Sequence, residues 1–259
     1  MSQVITKQEL PIEQKIFKKL CRIYDDIILF ICLIFLLIGG YTCYDSYQLF
    51  YHSQDKSLLK YKPKILADGT IEADSGLVLS DLVAWITIDD TNIDYPVMQG
   101  TNNTVYLNLD PYGEYSLSGS IFLDSRNAPD FSDYYNLVYG HHMENGYMFG
   151  ALDKFENQSY FNSHRSGTLI ITGGGNKGRV CDINLFAVIN VNANTDFFQP
   201  GESEITFEDI QENAEIFYEP DDRTNNVLAL STCQSNETIG RLIILGEIKE
   251  TGNQQLIGD

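Results

Sequence analysis

Basic side chains are scarce in this chain. Its 259 residues carry 17 Lys and Arg against 36 Asp and Glu, a formal net charge of −19 at pH 7. A surface that acidic repels phosphate backbones, which argues against nucleic acid as a partner. Charged residues make up only 20% and hydrophobic ones 43%, a balance that fits a globular protein with a real core and not a disordered one. Cysteine is sparse too. Of Cys21, Cys32, Cys43, Cys181 and Cys233, three lie in or beside one apolar segment. The remaining pair is too small for a disulfide framework, although a single Cys181–Cys233 bridge stays open. No internal repeat is visible. No stretch has the G-x-x-x-x-G-K-[ST] spacing that cradles phosphates; the glycine-rich "TGGGNKGR" (172–179) lies between two strand-like runs and reads as a hairpin turn. "NNT", "NQS" and "NET" match the glycosylation pattern but are too short to carry weight.

One long apolar run stands out, "IILFICLIFLLIGGYTC" from Ile27 to Cys43, without a charge. A helix needs roughly 17–25 such residues to cross a bilayer. Lys7, Lys15, Lys18, Lys19 and Arg22 precede it, and acidic residues begin at Asp45 after it. The basic flank belongs in the cytoplasm, which puts the C-terminal bulk outside. A cleaved signal peptide is the rival, but the run starts late and no A-x-A-like site follows. The expected organisation is a cytoplasmic segment (1–26), a transmembrane signal anchor (27–43), a juxtamembrane helix and linker (44–77) and a β-rich domain (78–259). The juxtamembrane helix is expected to end near Tyr61, before Pro63.

Beyond the linker the pattern is mostly strands. "LVAWITID", "DYPVMQ", "GSIFLDS", "YNLVYGH", "GTLIITG", "RVCDINLFAVINVN", "VLALSTC" and "RLIILGEI" alternate or run apolar between turn residues. Two stretches break the rule. Met148, Leu152, Phe155 and Phe161 are spaced as in a short helix, and "ITFEDIQENAEIFYEP" reads as a second helix from a Thr206–Asp209 capping pattern to Pro220. About eight strands with two inserted helices predict a closed or nearly closed β-barrel, a mainly β fold.

The candidate chemistry gathers on three residues. A cysteine nucleophile reacts as its thiolate and needs a basic or cationic partner. His52 and His164 fall on polar helical stretches, whereas the pair His141–His142 follows the apolar run ending in Tyr139-Gly140, where a strand leaves the barrel. If the last two strands are antiparallel neighbours, Cys233 and Arg241 mark the two ends of their connecting loop. A guanidinium there is placed to stabilise an oxyanion, provided the register sets both on one face. The plainer readings are a core cysteine at a strand end, a surface histidine pair or half of a zinc site with Cys181 as the only other unassigned thiol, and a solvated arginine.

"YGHHMENGYMFGALDKF" and "LALSTCQSNETIGR" resemble the two signature segments of class B sortases, cysteine transpeptidases of Gram-positive cell envelopes. "AWITIDDTNIDYPVMQG" and "YLNLDPYGEYSLSGSIFLDSRN" agree, and the resemblance runs from about Leu82 to Ile248. It implies an eight-stranded sortase barrel without metal or cofactor. The enzyme would cleave the C-terminal sorting motif of a surface protein after threonine, leaving a thioester on Cys233. An amine of the cell-wall precursor, or a pilin lysine, would then resolve it. His141 would protonate the leaving amine and deprotonate the incoming one, and Arg241 would hold the motif and the oxyanion. Ser231, Thr232, Asn103 and Leu107 fall where the family lines the motif-binding groove. Two departures are Gln234, where many relatives have an acid, and a short loop between Cys233 and Arg241. The rivals are a pilin-polymerising sortase, a cysteine peptidase, and an inactive membrane-anchored binding module.

Overall fold

The computed structural model describes residues 11–53, 56–66, 70–72, 77, 80–143, 146–173, 178–192, 194–202, 204–233 and 240–251. They fall into two compact units divided after Phe50. The first is a single helix, α1 (Ile12–Ser53), which includes the basic flank, the apolar run and Tyr44–Ser53 without a break. Its stretch Ile12–Tyr47 contains a window apolar and long enough to cross a membrane. The expected juxtamembrane helix is thus partly the end of α1 and partly a separate 3-10 helix, Lys56–Tyr61. A short antiparallel pair, β1 (Lys64–Ile65) and β2 (Ile71–Glu72), follows in what the sequence presented as linker.

Nine further strands build one sheet: β3 (Leu82–Ile88), β4 (Asp94–Met98), β5 (Ile121–Leu123), β6 (Tyr135–His141), β7 (Ser166–Ile171), β8 (Arg179–Asn192), β9 (Ala214–Phe217), β10 (Asn226–Cys233) and β11 (Gly240–Glu250). Eight close into the expected barrel in the order β3–β4–β5–β6–β10–β11–β8–β7, with β7 pairing back to β3. Closure removes the exposed edges that an open sheet would present. The long β8 makes this possible: its first half pairs β7, and β11 pairs along nearly its whole length. Gly-rich residues 174–177 lie outside the described residues, and the strands that flank them are antiparallel neighbours.

The ninth strand corrects the sequence reading of "ITFEDIQENAEIFYEP". The helix there, α3, spans only Phe207–Asn213, and the chain continues as β9 along β8. Its start is as expected: the Thr206 hydroxyl accepts from Asp209 N–H while the Asp209 carboxylate accepts from Thr206 N–H. Its end is set by Ala214-Glu215-Ile216-Phe217, where Ile216 is buried beside Val188 and strand pairing outweighs continued helix. The other inserted segment is a 3-10 helix, Phe149–Glu156, followed by α2 (Gln158–Ser163), with Asn157 capping the latter.

Two packed layers position the site. Phe207 and Ile210 of α3 cover a face made by Tyr135, Leu137, Val227, Ala229, Ile243 and Leu245, from β6, β10 and β11. The 3-10 helix Phe149–Glu156 packs on the same three strands. Cys181 is a free cysteine buried on β8 beside Glu250, so no bridge joins it to Cys233.

Candidate active site

The site forms where β6 and β10 end together. These strands are parallel, and their register sets Ser231 beside Tyr139, Thr232 beside Gly140 and Cys233 beside His141. Two residues separated by about 90 positions therefore become lateral neighbours through backbone pairing alone. Antiparallel β11 pairs β10 with Ser231 opposite Ile243. Carried on by two residues, the same register sets Cys233 opposite Arg241. Opposed and laterally paired positions share a face, so positions 141, 233 and 241 stand on one side of the sheet. It is the side covered by α3.

Arg241 is fixed by its surroundings. One guanidinium nitrogen, Nη1, donates to the Thr232 carbonyl at 3.2 Å. The guanidinium carbon lies 6.0 Å from the Phe198 ring centre, within cation–π range. The charge is thereby held beside the residue preceding Cys233.

His141 is half-buried, and burial lowers its pKa, so the imidazole is held neutral near pH 7. Its Nδ1 has no hydrogen-bond partner among the described residues. A group with a folded-state pKa below its unfolded value of about 6.5 is protonated first in the unfolded chain as pH falls. His141 therefore costs nothing above that pH and destabilises the fold increasingly below it. Urea unfolding at pH 7.5 and 5 should show a smaller acid-induced loss of stability for His141→Gln than for the wild type.

The residue before His141 has to be glycine. A methyl group on Gly140 would collide with Ile121 Cδ1 and stand 2.7 Å from Phe149 Cγ. Gly140→Ala should cost about 1–3 kcal/mol by overpacking, read as a lower denaturation midpoint, and should displace His141. On the other side, His142 Nε2 lies 2.6 Å from an Asp153 carboxylate oxygen, tying the strand end to the 3-10 helix. His142 also bridges Met148, closing the loop between them.

The residues expected to line a substrate groove are placed differently from one another. Ser231 is fully buried and its hydroxyl donates to the Leu242 carbonyl at 3.1 Å. Thr232 is buried as well, with a hydroxyl that has no partner among the described residues. Asn103 is half-buried, donating to Asp124 at 2.8 Å and accepting from Ser125 N–H at 2.7 Å. Leu107 is partly buried against the cluster that contains Trp85, Tyr106 and Phe122. Gln234 and the rest of the loop up to residue 239 lie outside the described residues.

Sequence reasoning missed Asp124, which ties this region together. Its fully buried carboxylate accepts from Arg126, Asn103 and the Tyr139 hydroxyl. Burial raises its pKa, but the hydrogen bonds from Arg126 and Asn103 outweigh that and hold it below the usual carboxylate range. The only signal was the Asp124-x-Arg126 spacing in "FLDSRN". No cluster of three or more His, Cys, Asp or Glu suited to a metal occurs among the described residues.

Residues 86–249 match the sortase domain family. Sortase B of Listeria monocytogenes is 31% identical over 176 residues, covering 65% of this chain and 70% of that protein. The chain belongs to the class B sortases. Among solved structures, a Streptococcus pyogenes class B sortase involved in pilus biogenesis is 39% identical, with a TM-score of 0.58 over 66% of this chain and 93% of that one. A Staphylococcus aureus sortase B–substrate complex is 26% identical, with a TM-score of 0.59 over 67% and 82%. Sortases are cysteine transpeptidases, and this enzyme is one of them. They exchange a peptide bond for a new amide through a cysteine thioester.

Proposed function

We propose that Cys233, His141 and Arg241 form the catalytic centre, and that the sortase transfers surface proteins from a C-terminal sorting motif to an amine of the cell-wall precursor. The supporting observation is the strand register, which sets Cys233 beside His141 in β6 and, carried two residues past the Ser231–Ile243 pair, brings Arg241 of β11 opposite it. In this reading Cys233 gives its proton to the neutral His141, and the resulting thiolate attacks the carbonyl of the motif's threonine. Arg241, held by the Thr232 carbonyl, donates to the oxyanion. His141 protonates the departing amine, so the peptide bond breaks and a thioester remains. The acceptor amine then attacks that thioester, the C–S bond breaks, and the thiol is restored. Ser231 and Thr232 contribute backbone and packing to the groove, with Asn103 and Leu107 farther along it. No metal or cofactor takes part.

The apolar stretch of α1 serves as a signal anchor, with Lys15, Lys18, Lys19 and Arg22 on the cytoplasmic side and the barrel outside. A second acceptor, a pilin lysine, is favoured by the 39% identity to the S. pyogenes enzyme of pilus biogenesis. Incubating the full-length protein with sorting-motif peptides and either amine distinguishes the two by the product formed. An inactive binding module or a peptidase would yield no amide with either.

Arg241→Lys tests the oxyanion role. Lysine keeps the charge but loses the planar fork that can serve Thr232 and a substrate oxygen together. The expected loss in kcat is about 10²–10³-fold, measured by peptide cleavage, with the unfolding midpoint little changed.

A further inference from the structure

The rim of the barrel continues beyond His141. The β5–β6 register pairs Phe122 with Tyr139. Two places on, Ser120, directly before β5, stands opposite His141 and on its face. The parallel β4–β5 register pairs Val97 with Ile121, which sets Pro96 beside Ser120. Positions 241, 233, 141, 120 and 96 thus form a row across β11, β10, β6, β5 and β4. The thiol and the arginine lie on one flank of His141, and Ser120 lies on the other.

On that second flank is a narrow cavity of about 40 Å³, whose polar lining is Tyr95, Asp110, Tyr112, Ser116, Ser118 and Ser120. Its chemistry is one-sided. Asp110 is the one charged residue of the lining among the described residues. One Asp110 oxygen, Oδ1, accepts from the Tyr112 and Glu114 N–H groups at 2.9 Å, which fixes the carboxylate in place. The Ser116 and Ser118 hydroxyls share a 2.8 Å hydrogen bond, and Ser120 donates to the Leu109 carbonyl. Met148, which bridges His142, completes the wall, and its N–H donates to the Tyr95 hydroxyl at 3.0 Å. The walls are therefore pre-formed, hydroxyl-rich and negative.

The geometry points to this cavity as the site that receives the amine-bearing arm of the acceptor, a primary ammonium on a peptide branch or a lysine side chain. This rests on the catalytic centre proposed above and adds where the second substrate enters. A fixed carboxylate attracts the ammonium, and serine hydroxyls hydrogen-bond its neighbouring peptide groups. At the mouth the ammonium releases one proton to solvent. The free amine attacks the thioester carbon, a C–N bond forms and the C–S bond breaks. The amine's second proton passes through His141 to the leaving thiolate, so Cys233 returns as a thiol and one amide has been made.

The test separates the two half-reactions in the full-length protein in detergent. Acylation by a sorting peptide is followed by intact mass without amine; aminolysis is then titrated with triglycine or with Nα-acetyl-lysine amide. Wild-type aminolysis should saturate with one of these amines, which identifies an α-amino peptide branch or an ε-amine as the source. Asp110→Asn, which keeps the backbone-capping oxygen, should raise the KM for that amine about tenfold, with acylation unchanged. Ser118→Val, which removes one hydroxyl and narrows the cavity, should do the same. Aminolysis that rises linearly with both amines to their solubility, or an unchanged KM in both folded variants, would overturn the assignment. A wild type that forms no thioester contradicts the catalytic reading instead.

Discussion

Cys233→Ala should leave the enzyme unable to form any acyl intermediate, with peptide cleavage reduced by more than about 10⁴-fold. Alanine cannot supply a nucleophile, and the other thiols cannot stand in for it. Cys21, Cys32 and Cys43 belong to α1. Cys181 sits on β8, paired with Glu250, and burial pushes its thiol up to about 11. At neutral pH it is a thiol packed in the barrel wall, without thiolate character. The variant removes only a sulfur at a strand end, so β10 should keep its pairing with β6 and β11. Intact mass after incubation with a sorting peptide gives the first readout and circular dichroism the second. A folded variant that still forms an adduct would place the nucleophile elsewhere.

His141→Ala should lower turnover by about 10³-fold, within the range for loss of a general acid–base. Neither half-reaction can proceed well without it, because one releases an amine that must be protonated and the other consumes an amine that must be deprotonated. The structure supplies the reason that no neighbour compensates. His142, next in the chain and just past the end of β6, is committed to Asp153 at 2.6 Å. His164 stacks on Tyr160 at 3.8 Å between ring centres, on α2. The measurement is single-turnover acylation and aminolysis of the full-length enzyme. Slow rates in both steps are expected. A defect in only one would assign His141 a narrower role.

The barrel was legible because its strands survive as short apolar or alternating runs between turn residues: "LVAWITI" became β3 and "NVLALSTC" became β10. Residues 214–217 were not, because four residues after a well-capped helix carry too little periodicity to announce a strand. Only β8, distant in sequence, makes β9 favourable there. Cys233, His141 and Arg241 were singled out from their places at strand ends, and their roles came from the resemblance to class B sortases. That β6 and β10 run side by side was not visible, since parallel pairing between strands some 90 residues apart leaves no local signature. Asp124 escaped for another reason. It lies in a stretch that reads simply as a strand followed by a turn, and its importance depends on Asn103 and Tyr139 arriving from other elements. That the Ser231 hydroxyl is turned to the Leu242 carbonyl was likewise not visible, because it depends on the pairing of β10 with β11.

The most direct test of the central claim is to trap the thioester. Full-length wild type is incubated with a panel of sorting-motif peptides, quenched in acid, digested and mapped by mass spectrometry. The account predicts an acyl group ending in threonine on the peptide that contains Cys233, released as an amide when an amine is added. An acyl group mapped to Cys181 or to any other residue, or cleavage with no acyl-enzyme at all, would contradict it.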